Sequence, residues 1–506
     1  MKEGINMSVK KRDISAMPAV VKFREEHFSK PAITEPFTIS VVGDIIQSNP
    51  ISQRTDKAVR GILDPIAESD VAFGNMESNF GDYRNALKGI GGLQGCKEVA
   101  ADVKKMGFGL VARSSNHSTD QGVEEMLKSN QILQDLGVIY AGTGINLEDA
   151  RAPQYFETPK GRIGLVAMTM SMRGRVDNQS SRSADCGMEM ASYQAGNRNG
   201  AAGINFMRAT PSVVLSPELY EGILKIKEFE AEYAKKMIEE HSGDVTTDGS
   251  ETKKVMEHLF GKISDPSKQT LVFTQMFEVG DKPCGLSYHM DENDLRLNLR
   301  SIRQGKEWSD FMIASIHTHD APTTLRHLDF LQETPSDYLV ELAHKAIDNG
   351  ADIFAVTGPH LLRGIEIYKG KPIFYSLASF IYQLWGTPAG PDRYQDNGDD
   401  YFYSETTETE MNMDMWPPQS ITRHPDPKNM ESMESVSTQL KYDEGKLKEI
   451  IIRPIEFGYD APLSQHGIPR VPKTEVALRI LKRMQRMSEA LGTKVEIIDE
   501  IGYIKF

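Results

Sequence analysis

The sequence predicts an α/β protein built on a largely parallel sheet, and three observations carry that prediction. Short apolar runs of strand length alternate with stretches of helical spacing, as at residues 108–112, 121–136 and 137–141, which is the pattern of βαβ units. Several of these runs end in a carboxylate, an amide or an imidazole, at the strand ends where open α/β sheets gather their chemistry. No internal period of 20–50 residues marks a solenoid.

A chain of 506 residues can bury a large core and divides into two or three structural units. Its 58 basic and 72 acidic residues leave a formal charge of -14, which argues against nucleic acid or an anionic membrane as the main partner, because both select basic surface. A local cationic site remains compatible with that charge. Cys96, Cys186 and Cys284 are few, far apart and odd in number, so neither a disulfide framework nor a thiolate metal cage is expected. Residues 1–13 carry positive charge without a following apolar stretch, and no segment approaches the roughly 20 apolar residues of a membrane span. The expectation is a soluble protein of the cytoplasm, with no membrane partner. Its oligomeric state, a homodimer included, is left open.

Residues 1–35 are mixed in charge and weakly patterned, and they read as an N-terminal arm. Residues 37–42, FTISVV, form a strand that runs into Gly43-Asp44, read as a turn delivering a carboxylate. An amphipathic stretch at 56–66 follows, and a short run at 71–73 leads into Gly74-Asn75-Met76-Glu77, so strand, glycine and acid recur in that order. The glycine-rich KGIGGLQG at 88–95 lacks the Gly-Lys-Ser/Thr ending of a phosphate loop and reads as a flexible turn. The strand at 108–112 ends in Ser115-Asn116-His117 with Asp120 three residues on, and 163–169 is a further strand.

From 170 to about 203 the pattern dissolves, and 215–259 then shows helical spacing with a polar break. Loops longer than about 15 residues inside a compact domain are usually functional or unstructured. This stretch therefore reads as an insertion of an ordered loop and a helical pair, either a cap over a site or a decoration away from it.

Residues 311–320, FMIASIHTHD, are a buried strand ending in His317, His319 and Asp320. A helix at 337–349 with Gly350 past its end, a strand at 353–356 meeting Thr357-Gly358-Pro359-His360, and a hairpin across Lys369-Gly370-Lys371 follow. Residues 383–433 form a second long excursion, and a strand at 449–454 and a helix at 473–491 complete the chain. The resulting division is an arm at 1–35, half a domain at 36–170, an insertion at 171–300, the other half at 301–460, and a C-terminal helix and strand at 461–506.

Asp44, Glu77, Asn116, His117, His317, His319 and His360 thus stand at strand-to-loop transitions. A mixed carboxylate, amide and imidazole set suits Mn, Zn or Fe. The motifs VVGD at 41–44, GNMES at 74–78, SNHSTDQG at 115–122 and GPHLLRGIEIYKGKPIFYSLASF at 358–380 resemble those of the CapA-type poly-γ-glutamate capsule biosynthesis proteins. These belong to the calcineurin-like metallophosphoesterase superfamily, and GINFMRAT at 203–210 is similar to a segment of its longer, soluble members.

The resemblance implies a four-layer αββα metallophosphoesterase-like sandwich with a metal centre at one edge, holding one or two divalent ions. It implies Asp44, Glu77, Asn116, His317 and His360 as ligands. His117 and His319 become catalytic candidates, with Asp120 orienting His117. Thr357 departs from the family, which carries a histidine there, and His319 is placed to make up that loss. The implied activity is a metal-dependent hydrolase acting on a γ-glutamyl-type amide in a small or oligomeric carboxylate-bearing substrate, with phosphoester hydrolysis or a non-catalytic accessory role in capsule synthesis as alternatives. Arg198 and Arg208 are candidates for holding a substrate carboxylate through paired hydrogen bonds, the plainer reading being surface or packing arginines.

Overall fold

A computed structural model describes residues 31–80, 93–172, 188–194, 196, 199–241, 262–273, 275–282, 285–323, 332–383, 434–458, 461–462 and 465–506. Two large mixed sheets stack face to face. Strands Phe37–Ile46, Val71–Met76, Phe108–Ala112 and Ile139–Ala141 run parallel and side by side in the first. In the second, Gly161–Met172, Phe311–His317, Ile353–Thr357 and Lys371–Phe374 do the same.

Side-chain alternation builds the layers. In the first strand Phe37, Ile39 and Val41 enter the core between the sheets, while Val42 and Ile45 face the outer layer. In the strand Phe311–His317, Phe311 and Ile313 point inward while Met312, Ala314 and Ile316 point outward. Both faces of each central strand are covered, which is why these segments read as unbroken apolar runs. Helices Lys57–Ala67 and Lys97–Lys105 cover the outer face of the first sheet. Helices Glu292–Glu307 and Asp337–Asp348 cover that of the second. The predicted αββα sandwich is the observed one. Helix Thr474–Glu489 buries Ile480, Leu481, Met484 and Met487 in the inter-sheet core.

Two local expectations change. Gly43-Asp44 is not a turn: the strand continues to Ile46 with register shifts on either side of Asp44. The segment read as loop and helical pair contributes strands as well, Phe206–Leu215, Gln269–Val272, Gln275–Val279 and Leu286–Met290, all joined to the second sheet. Pro211 and Arg208 interrupt the apolar pattern of the first of these, which hides it from a sequence reading. Helix Glu292–Glu307, at the end of that segment, starts where Asp291 accepts from the backbone N–H groups of Asn293 and Asp294. The hairpin Ile365–Tyr368 to Lys371–Phe374 turns at Lys369 and Gly370, both at positive φ. The 384–433 excursion, residues 1–30 of the arm and most of the glycine-rich turn fall outside the described residues. Among the described residues, no helix is long and apolar enough to cross a membrane.

Candidate metal centre

The carboxyl ends of the central strands of both sheets converge on one point. Asp44 lies in register with Asn75 on one side and Ser379 on the other, and His317 lies in register with Thr357 and Thr169. The chain crosses from the second sheet to the first between strands Lys371–Phe374 and Ser379–Tyr382, and the backbone carbonyl of Ala378 comes so close to Gly43 that a Cβ there would sit 1.6 Å from it. Only glycine permits that approach, and the approach sets the bulge that aims Asp44 inward. Gly358 donates its backbone N–H to Asp44 Oδ2 at 2.9 Å. At φ +105° it occupies backbone space that a side chain would contest.

Around that point two groups of side chains each bring three ligand atoms within 4.8 Å of one another: Asp44, Glu77 and His317, and Glu77, His319 and His360. Glu77 is common to both. His317 Nδ1 stands 3.4 Å from Asp44 Oδ1 and its Nε2 3.5 Å from Glu77 Oε1. His317 Nε2 also lies 2.8 Å from Asn116 Oδ1. His360, held at φ 53°, places Nδ1 3.4 Å from Asp44 Oδ2 and 3.0 Å from Ser379 Oγ. His319 sits between the other two rings, 5.2 Å from that of His317 and 5.4 Å from that of His360 by centroid.

His117 turns Nδ1 to Asp120 Oδ2 at 2.7 Å. A carboxylate can only accept, so that nitrogen carries a proton, and in the neutral ring Nε2, 4.0 Å from Glu77 Oε1, is the atom with the lone pair toward the centre.

Burial works against ionising Asp44, but the imidazoles of His317 and His360 outweigh it and hold its carboxyl well below the usual range. Glu77 is pushed well above that range by burial and by the charges of Asp44 and Asp120. Burial also lowers His317, and His319 further still, so both are neutral donors of a lone pair. Both oxygens of Glu77 and Nε2 of His319 are buried without a hydrogen-bond partner. Leaving such groups unpaired costs about 1–3 kcal/mol each. A divalent cation is the partner that would satisfy all three at once and return Glu77 to its ionised form. The donor set therefore fits the implied metal.

Several contributors were not legible beforehand. Asn75 donates to Asp44 Oδ1 at 2.8 Å and lies 3.1 Å from His317 Nδ1. Its place two residues before Glu77, in register with Asp44, is the signal that would have found it. Thr357 Oγ1 is 3.0 Å from the same His317 nitrogen. Asp320 forms a fully buried ion pair with Arg363 at 2.9 Å, tying the two histidine-bearing loops together. Arg113, buried under the Glu77 loop, donates to the carbonyls of Met76 and Ser78 and to Asn79 Oδ1. Burial lowers its guanidinium to about 10. Arg208 is not part of the cluster: its fork is taken by Asp294 at 2.6 and 2.9 Å, a carboxylate of its own chain. Arg198 falls outside the described residues.

An αββα sandwich with carboxylates, imidazoles and an amide gathered at the carboxyl ends of its central strands defines a metallophosphoesterase-like protein. Residues 38–384 match the family described as bacterial capsule synthesis protein PGA_cap, and the chain belongs to that family. It is 31% identical over 489 residues to the uncharacterized proteins y4sH and y4uA of Sinorhizobium fredii (strain NBRC 101917 / NGR234), covering 94% of this chain and 94% of each of those. It is 26% identical over 161 residues to the capsule biosynthesis protein CapA of Bacillus anthracis, covering 30% of this chain and 37% of that one.

Proposed function

We propose that the protein is a metal-dependent hydrolase of capsule metabolism, acting on γ-glutamyl-type amides in a carboxylate-bearing substrate. The observation that carries this reading is the fully buried Glu77, whose two unpartnered oxygens are shared between the Asp44–His317 and His319–His360 groups. One or two divalent ions, of Mn, Zn or Fe, would be held by Asp44, Glu77, Asn116, His317, His319 and His360. They would supply a water of pKa lowered towards about 7 and an electrophile for the substrate's carbonyl oxygen.

The chain's own residues do the rest. Asn75 and Thr357 hold the His317 ring from its Nδ1 side. Ser379 holds His360. His117, with its tautomer set by Asp120, presents Nε2 as the group that takes a proton from the attacking water and returns one to the departing amine. The resemblance of the motifs to those of poly-γ-glutamate capsule proteins, whose polymer is joined by amides, favours the amide over the phosphoester, and membership of a capsule synthesis family is in keeping with it.

The test is a hydrolysis panel on metal-supplemented protein, setting γ-glutamyl amides against phosphomonoesters and phosphodiesters. Turnover of the amides, abolished in Asp44→Ala and His360→Ala, is expected. Turnover confined to phosphoesters would replace the substrate class, and inertness towards both with stoichiometric metal bound would leave a binding role in capsule synthesis in its place.

A further inference from the structure

The helix Pro217–His241 stands apart from everything described so far. It touches the strands Phe206–Leu215, Gln269–Val272 and Gln275–Val279. Tyr220 is buried there, and Lys227 donates to Thr270 Oγ1 at 2.7 Å. Yet every side chain from 224 to 236 is exposed. Leu219, Ile226, Phe229 and Tyr233 recur at heptad-like spacing along one stripe, Phe229 at 69% and Tyr233 at 57% exposure, with their rings stacked on each other at 6.4 Å. A helix gains most of its stability from burying such a face, and a seam of this spacing is what a second helix covers.

We propose that this helix is the surface through which two copies of the chain associate, with the two helices antiparallel. Charge selects both partner and direction. Lys225 and Glu232 lie seven residues apart, two turns, and so flank the apolar stripe on the same side. Antiparallel pairing about a point between residues 228 and 229 sets Lys225 of each copy against Glu232 of the other. It brings the two Phe229 side chains to the centre with Ile226 and Tyr233 beside them. Parallel pairing would also give Lys225 an acidic neighbour, Glu230, but it would set Lys236, one heptad beyond Phe229 on the same stripe, against its own copy, which is unfavourable. An anionic membrane surface is the poorer occupant, because the helix carries four lysines against seven glutamates.

The helix is about 37 Å long at about 1.5 Å per residue, and a single helix pair of that length belongs with the small interfaces rather than the standard ones. The association is therefore a reversible one, of the weak, concentration-dependent kind that small interfaces make.

The experiment is sedimentation equilibrium of the full chain from about 1 to about 100 µM. The average mass should rise from the 56.5 kDa of one chain towards twice that value. Phe229→Glu should stay at the single-chain mass with an unchanged thermal melt, because the side chain it alters is exposed. Lys225→Glu and Glu232→Lys should each associate at least about tenfold more weakly alone, and an equimolar mixture of the two should recover the wild-type association, since only the mixed pair restores opposite charges. A wild-type chain that remains single at about 100 µM, or a Phe229→Glu variant that associates as the wild type does, overturns the proposal. Failure of the charge-variant mixture to recover overturns the antiparallel arrangement.

Discussion

Glu77→Gln separates the cost of the centre from its use. In metal-free protein Glu77 is fully buried, its two oxygens lack partners and its carboxyl is pushed well above its ordinary range. The fold therefore carries an unsatisfied acid worth about 1–3 kcal/mol of destabilisation. Glutamine keeps the shape, gains two donors directed among Asp44, His317 and His319, and relieves part of that cost.

Unfolding entropy of about 2.1 cal/mol/K per residue gives about 1 kcal/mol/K for 506 residues. The chelator-treated variant should thus melt about 1–3 °C above the chelator-treated wild type. Adding Mn or Zn at about 100 times its Kd stabilises the wild type by about 2.7 kcal/mol, or about 3 °C, and should move the variant little. The assay is a pair of calorimetric melts, with and without metal, backed by metal analysis of the purified proteins. Equal metal-induced shifts in the two proteins would refute the assignment of Glu77 as the shared ligand.

Three further outcomes follow from the same geometry. Gly43→Ala drives a methyl group to 1.6 Å from the Ala378 carbonyl, so it should cost about 3 kcal/mol or more in a denaturant melt and lower bound metal through the displaced Asp44. Asp352 is fully buried between Lys306 at 2.9 Å and Lys371 at 3.0 Å. Burial opposes its ionisation, but the two lysines prevail and hold its pKa below the ordinary value. A folded pKa below the unfolded value of about 3.9 means that its contribution is fully present above that value and is lost as pH falls through the folded one. Asp352→Ala should cost about 3–5 kcal/mol near neutrality, and the gap in melting temperature from wild type should close only below about pH 4. Arg208→Ala strips Asp294 of its paired hydrogen bonds; it should lower the melting temperature while leaving the KM of any substrate within about twofold, and a large rise in KM would return Arg208 to substrate binding.

The layers of the fold were legible because their signal is local. A strand covered on both faces is apolar throughout, and short runs such as FMIASI and IFAVT read most simply as such strands. The ligand types were legible for a related reason: parallel strands all present their carboxyl ends on one side, so polar residues at those ends are brought together by topology alone.

What the sequence could not decide is set by contacts between segments hundreds of residues apart. The bulge at Asp44 exists because Ala378 crosses against Gly43, and nothing within residues 37–46 signals that neighbour. Asn75 and Ser379 become part of the centre through register alone, and Arg208 is claimed by an aspartate 86 residues away. By itself, then, the sequence determined an α/β fold on a largely parallel sheet and the chemical character of the centre, because both follow from residue type and alternation along single strands, while the αββα layering was implied by the family resemblance of its motifs. Only the tertiary structure decided that Glu77 is shared between two ligand groups and left without a hydrogen-bond partner, because that depends on how two sheets approach each other, and spacing along one chain does not encode it.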